Sequence, residues 1–139
     1  EAMEIISSRS ACTLMTETDL EKLAQMVNAM DDSLDKPLKW SEQNKAMHLF
    51  VCECAQTTLI LKMMQKVFDH WERLRLHYLQ DIATNRIQEA QDEHHQILKA
   101  MKKRDPDAVE TVIRNHNHSA LKSYTRHLQK VGHLEKEES

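Results

Sequence analysis

Three histidines lie on the apolar faces of three different predicted helices, and they are the residues in this sequence best suited to chemistry. On the helical repeat of about 3.6 residues, His94 falls within an apolar stripe, and His48 and His116 occupy comparable places. Any one of them alone is more often a structural core residue. Three such histidines together indicate that their side chains meet at one site, because each would otherwise need its own buried hydrogen-bond partner. Neutral imidazoles bind Zn²⁺ and Ni²⁺, so the pattern predicts a divalent metal site with open coordination positions.

Asn44 precedes His48 by one helical turn, so both side chains can contact one ligand. The alternative interpretation is a buried histidine that is hydrogen-bonded to a buried asparagine. His95 and His118 are adjacent or nearly adjacent to the inward histidines and are predicted to face outward. Glu93, which precedes His94, is likewise predicted to point away from the apolar stripe.

The elements that position these residues are predicted to be five or six helices with no strand. Thr16 or Thr18 begins the second helix, and Pro37 lies in the first turn of the third, which carries His48. Short connections predict that successive helices pack antiparallel, which gives an all-α bundle.

The later helix boundaries follow from cap residues. A turn around residues 81–84, with Asp81 or Thr84 as the cap, is predicted to precede the helix of His94. Asp105 is the predicted N-cap of the last helix, which carries His116. Gly132 is its predicted C-cap, followed by a polar tail over residues 133–139.

Composition excludes several function classes. The 139 residues include one glycine and two prolines, which argues against glycine-rich phosphate loops and nucleotide-binding turns. Charged residues make up 29% of the chain, with acidic and basic residues interleaved and a net charge of -3. The sequence has no basic stripe that would indicate direct DNA binding.

No signal peptide or membrane-spanning run is present, which predicts a cytoplasmic protein without membrane contact. Cys12, Cys52 and Cys54 are interpreted as reduced thiols.

Three segments also carry a family resemblance: Asn44-Lys45-Ala46-Met47-His48, Glu93-His94-His95-Gln96-Ile97-Leu98-Lys99-Ala100-Met101-Lys102-Lys103-Arg104-Asp105, and Ala108 through Arg114-Asn115-His116. Together they resemble the pattern of the FCD domain, the effector-sensing C-terminal half of FadR-type regulators in the GntR family of bacterial transcription factors. The resemblance extends from about Glu4 to about Leu128.

The resemblance implies a helical bundle with a central cavity, where a divalent metal, zinc or nickel, is held by one Asp and three His. The histidines correspond to His48, His94 and His116, while Asn44 occupies the Asp position and is expected to be a weak or indirect ligand. It further implies a small organic-acid or sugar-acid effector, to which Arg86 is a candidate ligand, although a salt bridge is an equal alternative for Arg86.

The whole chain, residues 1–139, is interpreted as a single domain of this type and as a fragment that lacks the family's N-terminal winged helix-turn-helix domain. The resemblance implies a homodimer that contacts DNA only through that domain. Two other hypotheses stay open from the sequence. One is a metal-free helical interaction domain, and the other is a three-histidine metal hydrolase, against which stands the lack of an inward carboxylate as general base.

Overall fold

The computed structural model describes the backbone of residues 1–137 and the side chains of residues 1–77, 86–130 and 132. Within this part, the chain forms five α-helices and no strand. The helices are α1 (Ala2–Leu14), α2 (Glu17–Asp31), α3 (Pro37–Cys54), α4 (Thr58–Lys102) and α5 (Pro106–Glu137). The prediction of an all-α bundle is confirmed.

Several helix starts follow the predicted cap chemistry. Thr16 forms a capping box with Asp19, in which each side chain accepts a hydrogen bond from the backbone N–H of the other. Pro37 occupies the first turn of α3. Asp105 accepts hydrogen bonds from the backbone N–H groups of Asp107 and Ala108, which fixes the start of α5.

The predicted turn at residues 81–84 was wrong, because α4 runs without a break through this segment. Asp and Thr have only modestly unfavourable helix propensity, and no Gly or Pro interrupts the segment, so nothing there forces an end. The proposed capping side chains of Asp81 and Thr84 lie outside the described residues. Similarly, α5 continues through Gly132 to Glu137, so Gly132 is not a C-cap. Residues 138 and 139 of the predicted tail lie outside the described residues.

At the turn between α4 and α5, the residue in the left-handed conformation is not a glycine. Arg104 adopts a left-handed backbone with φ 55°, a conformation that usually favours Gly. Its guanidinium donates hydrogen bonds to the carbonyl oxygens of Cys12 and Met15 at the end of α1. These tertiary contacts stabilise the left-handed residue in a turn that Asp105 and Pro106 already favour locally.

The core lies where α1 packs against the other helices. α1 contacts α3, α4 and α5, and α2 contacts α3 and α4. The apolar stripe of α2 is buried, as predicted, and so is the stripe of α4 around His94: Leu20, Leu23, Val27, Met30, Ile87, Ala90, Ile97, Leu98 and Met101. None of the helices, as far as they are described, is both long and apolar enough to cross a bilayer.

Candidate metal centre

His48 on α3, His94 on α4 and His116 on α5 meet in the interior of the bundle. Their possible ligand atoms all lie within 4.8 Å of one another, and all three side chains are buried. The ring centroids are 5.3 Å apart for His48 and His94, 5.1 Å for His48 and His116, and 4.9 Å for His94 and His116. The structure therefore brings together three histidines that are far apart in sequence.

Glu4 of α1 fixes the orientation of His48. Its Oε1 lies 2.7 Å from His48 Nδ1, a close ion-pair contact without hydrogen-bond geometry, and its Oε2 accepts a hydrogen bond from Asn117 Nδ2 at 2.9 Å. Burial raises the pKa of Glu4, but the proximity of His48, helped by Asn117, outweighs burial and lowers this pKa to about 2. Glu4 is therefore a buried carboxylate that stays ionised and directs His48 Nε2 away from itself.

Gln91 determines which ring nitrogen of His94 carries the proton. The Gln91 amide nitrogen donates to Val27 O and to Asp31 Oδ1, both at 2.8 Å, so its oxygen is the atom that faces His94. That oxygen is an acceptor only, and it lies 3.2 Å from His94 Nδ1. His94 must therefore donate from Nδ1, which leaves Nε2 with a lone pair. This Nε2 is buried and has no hydrogen-bond partner among the described residues.

Burial also keeps His94 neutral. It lowers the pKa of His94 well below the usual value, and the charges of His116, His48, Arg86 and Arg75 lower it further. A neutral imidazole with an unpartnered buried nitrogen has the chemistry of a metal ligand.

Glu93 holds His116 in the same way that Glu4 holds His48. Glu93 Oε2 accepts a hydrogen bond from His116 Nδ1 at 2.6 Å. Arg86 donates to both oxygens of Glu93, at 3.0 and 2.6 Å, in a bidentate ion pair. Burial raises the pKa of Glu93, but the hydrogen bonds from His116 and Arg86 lower it to about 2. The expectation that Glu93 points away from the site was wrong, because the neighbouring helix α5 approaches closely enough for its carboxylate to reach His116.

Asn44 lies buried beside the histidines, one turn before His48 on α3, and lines the same cavity. Its Oδ1 has no hydrogen-bond partner among the described residues. A buried carbonyl oxygen without a partner normally signals an absent ligand or water. The donor set thus fits a divalent ion: three imidazoles whose possible ligand atoms converge, each with Nδ1 beside a polar neighbour, and two atoms without a partner among the described residues, His94 Nε2 and Asn44 Oδ1.

A cavity of about 260 Å³ adjoins this group. Its charged and polar lining residues are Glu1, Glu4, Asn44, His48, Arg75, Arg86, His116, Asn117 and His118. The other lining residues are apolar or aromatic: Trp40, Met64, Val67, Phe68, Trp71, Ile87, Ala90, Ala120, Leu121 and Tyr124. The guanidinium of Arg86 is engaged with Glu93, as the salt-bridge alternative proposed. By contrast, Arg75 Nε and Nη2 are buried and have no hydrogen-bond partner among the described residues.

Sequence reasoning missed Glu4, Gln91, Glu93 and Arg75. A signal existed for Glu4, because it lies on the same face of α1 as Ser8, Ala11 and Cys12, all buried, and an acidic residue on such a face needs a partner. Gln91 offered no comparable signal, since a glutamine beside an apolar stripe is common on half-buried helices. His118 faces outward as predicted, and His95 is half-exposed beside Asp31.

Comparisons with known proteins agree with the fold. The sequence profile of the FCD domain matches residues 1–119. No curated protein sequence matches the chain significantly. Among solved structures, E. coli McbR/YncC is similar, with a TM-score of 0.82 and 13% sequence identity over 91% of this chain. This chain covers 64% of the McbR/YncC chain. Because the profile matches most of its residues, the chain belongs to the FCD family, the effector-binding regulatory domain of GntR-type transcription regulators.

Proposed function

We propose that this domain senses a small carboxylate effector at a histidine-held divalent metal and relays its binding to a DNA-binding domain. The observation that carries the proposal is the convergence of His48, His94 and His116, whose ligand atoms lie within 4.8 Å of one another. The hydrolase alternative falls away, because FCD domains are regulatory and not enzymatic. The prediction that the chain is not an enzyme is thereby confirmed.

Zinc or nickel is the metal that suits this donor set best, since imidazole nitrogens are preferred ligands of both ions. When bound, the ion supplies a concentrated positive charge and open coordination positions for an anion. His48, His94 and His116 would hold it through Nε2, while Glu4, Gln91 and Glu93 orient the rings. Asn44 would contribute weakly or indirectly through Oδ1, because a neutral amide is a poorer ligand than a carboxylate.

One edge of Arg75 favours an anion in the cavity, either an organic acid or a sugar acid. Two arginines, Arg75 and Arg86, and two carboxylates, Glu1 and Glu4, line the cavity. Arg86 pairs with Glu93 and both carboxylates contact other side chains, whereas Arg75 Nε and Nη2 have no partner among the described residues. The replacement of the family's Asp by Asn44 also removes one negative charge from the site. We propose that Arg86 acts on the effector mainly through Glu93 and His116, since its guanidinium is already paired.

We propose that effector binding is transmitted to the rest of the bundle through α1. Glu4 connects this helix to His48, and Asn117 of α5 donates to the same carboxylate. A shift in the histidine cluster on effector binding would therefore change how α1 packs against α3 and α5, and so the population of two bundle arrangements. In our proposal the regulator is a cytoplasmic homodimer that contacts DNA through a winged helix-turn-helix domain.

Metal content measured by mass spectrometry, on protein purified without a nickel column, tests the proposal first. We expect near-stoichiometric zinc or nickel in the chain, and loss of that metal in His94→Ala. His118→Ala is the matched control, because His118 is an exposed histidine on α5.

A thermal-shift screen of organic acids and sugar acids, with and without chelator, then tests the sensor function. Stabilisation by an acid only in the metal-loaded form is the expected result.

The metal-free interaction domain predicts a different pattern. In that case His94→Ala would keep full stability and unchanged ligand binding, and neither zinc nor nickel would bind after deliberate loading. That pattern would overturn the metal proposal.

A further inference from the structure

Arg75 presents a partly buried cation that lines the cavity beside the proposed metal centre. Its Nε and Nη2 atoms form one edge of the guanidinium, from which two N–H groups point in parallel, and both atoms are buried without a partner among the described residues. Burial lowers the pKa of Arg75, yet a guanidinium stays charged in proteins. Two buried N–H donors without an acceptor are costly, so their retention indicates a ligand that accepts from them.

The chemistry of that edge identifies the group that pairs with it. Two parallel N–H donors match the two oxygens of a carboxylate, in the bidentate geometry that arginine forms with planar anions. Arg75 lies on the wall of the same cavity as His48 and His116. The ligand carboxylate therefore has a partner at Arg75 in addition to the metal that the histidines would hold.

The other side chains that line the cavity indicate the polarity of the ligand outside its carboxylate group. Apolar and aromatic side chains make up most of the lining surface of the cavity, among them Trp40, Met64, Phe68 and Trp71. Of the polar lining residues, Asn117 donates to Glu4, and Glu1 pairs with Arg114 and His118, so few groups are left to bond a chain of hydroxyls. Each buried hydroxyl without a partner weakens binding by about tenfold. A polyhydroxylated sugar acid is therefore a poor match.

The volume of the cavity limits the size of the ligand. An apolar cavity of about 150 Å³ accommodates benzene in another protein, and the cavity here measures about 260 Å³. By proportion it accommodates roughly ten or eleven non-hydrogen atoms, which corresponds to one aromatic ring with a short side chain.

We propose that the effector is an apolar monocarboxylate, an aryl-alkyl or branched alkyl acid, whose carboxylate pairs with Arg75 and whose hydrocarbon body fills the aromatic cavity. The inference rests on the proposed sensor function and narrows its ligand class, excluding the sugar acids.

Isothermal titration calorimetry on the zinc-loaded 139-residue chain tests this with three probes: 3-phenylpropanoate, its neutral analogue 3-phenylpropanamide, and D-gluconate. We expect 3-phenylpropanoate to bind at least tenfold more tightly than either of the other two. Arg75→Met should weaken binding of the acid at least tenfold and leave binding of the amide unchanged. Arg75→Lys keeps a charge but loses the parallel donors, so it should give an intermediate loss. Arg73→Met is the matched control, because Arg73 is exposed on the same helix, and should bind as the unaltered chain does.

Two results would overturn the inference while sparing the proposed function. One is metal-dependent binding of gluconate that is as tight as that of 3-phenylpropanoate, and the other is acid binding that Arg75→Met leaves unchanged. If neither acid binds the zinc-loaded chain, the inference fails, and the thermal-shift screen of other acids decides the sensor function separately. Thermal unfolding of each variant, recorded alongside, shows that a loss of binding does not come from loss of the fold.

Discussion

The oxygen of the Gln91 side chain accepts a hydrogen bond from His94 Nδ1 at 3.2 Å, and this contact leaves Nε2 as the available nitrogen of the most buried histidine in the cluster. The same oxygen also accepts from Trp40 Nε1 at 3.3 Å. A single amide on α4 thus links α2, α3 and the histidine cluster, because its nitrogen donates to α2.

Replacement of this amide tests its role. Gln91→Leu removes the acceptor for His94 Nδ1 and Trp40 Nε1, so we expect metal affinity to fall about 10- to 100-fold. The free energy of unfolding should fall by about 1–3 kcal/mol, because buried polar groups lose their partners. Zinc competition titration and urea unfolding measure the two effects. Gln88→Leu is the control, since Gln88 is exposed on α4, and equal effects of the two substitutions would contradict the prediction.

Glu93 should contribute to metal affinity without contacting the metal. In Glu93→Gln the charge that accepts from His116 Nδ1 and pairs with Arg86 is lost, so we expect zinc affinity to fall about 10- to 100-fold. Asp92→Asn removes a neighbouring exposed carboxylate and should leave the affinity unchanged. Zinc affinity that is the same in Glu93→Gln and in the original chain would argue against an orienting role.

Asn44→Asp should reverse the departure from the family pattern. A carboxylate at this position is a better metal ligand than an amide, so we expect zinc affinity to rise about tenfold or more. The added negative charge should at the same time weaken binding of an anionic effector. Asn28→Asp adds the same charge on an exposed face of α2 and serves as control. Competition titration would contradict the prediction if Asn44→Asp left zinc affinity unchanged or lowered it.

Arg75→Met should make the ligand-free protein more stable. The substitution removes a buried cation whose Nε and Nη2 have no partner among the described residues, and it leaves a flexible apolar side chain of similar length. We expect the free energy of unfolding to rise by about 1–3 kcal/mol, with a higher Tm. This gain in stability is typical of positions kept for function. A large loss of stability in Arg75→Met, relative to Arg73→Met, would show instead that Arg75 is a structural residue.

The cysteines should react slowly in the folded protein. Burial raises the pKa of Cys52 to about 11 and that of Cys54 to about 11, and burial also raises the pKa of Cys12. At pH 8 the thiolate fractions of Cys52 and Cys54 are small, so we expect these two to react with Ellman's reagent about 100-fold or more slowly than a free cysteine, and Cys12 also to react more slowly than a free cysteine. All three should react rapidly after denaturation. Fast reaction of any one of them in the native state would contradict the prediction.

The length of α4 shows why local patterns mislead. Asp81 and Thr84 are typical cap residues, and they suggested a boundary between two helices. Whether a cap residue ends a helix depends on what packs on either side, because such residues cost only a fraction of a kcal/mol in a helix interior. At Arg104 the cap residue Asp105 did predict the turn, but the left-handed backbone there has no glycine, and the bonds of the Arg104 guanidinium to the end of α1 stabilise it.

The sequence by itself determined the helical class, the apolar faces and the three histidines on them, because helical periodicity and metal-ligand chemistry are properties of residue type and spacing. Only the tertiary structure decided which groups complete the site. Glu4 reaches His48 through the packing of α1 against α3, and Glu93 reaches His116 through the approach of α5. Gln91 lies one turn before His94 on α4, but its amide is oriented by Val27 and Asp31 of α2. Arg75 lines the cavity with two N–H groups that have no partner among the described residues. These arrangements depend on how whole helices pack rather than on any local pattern.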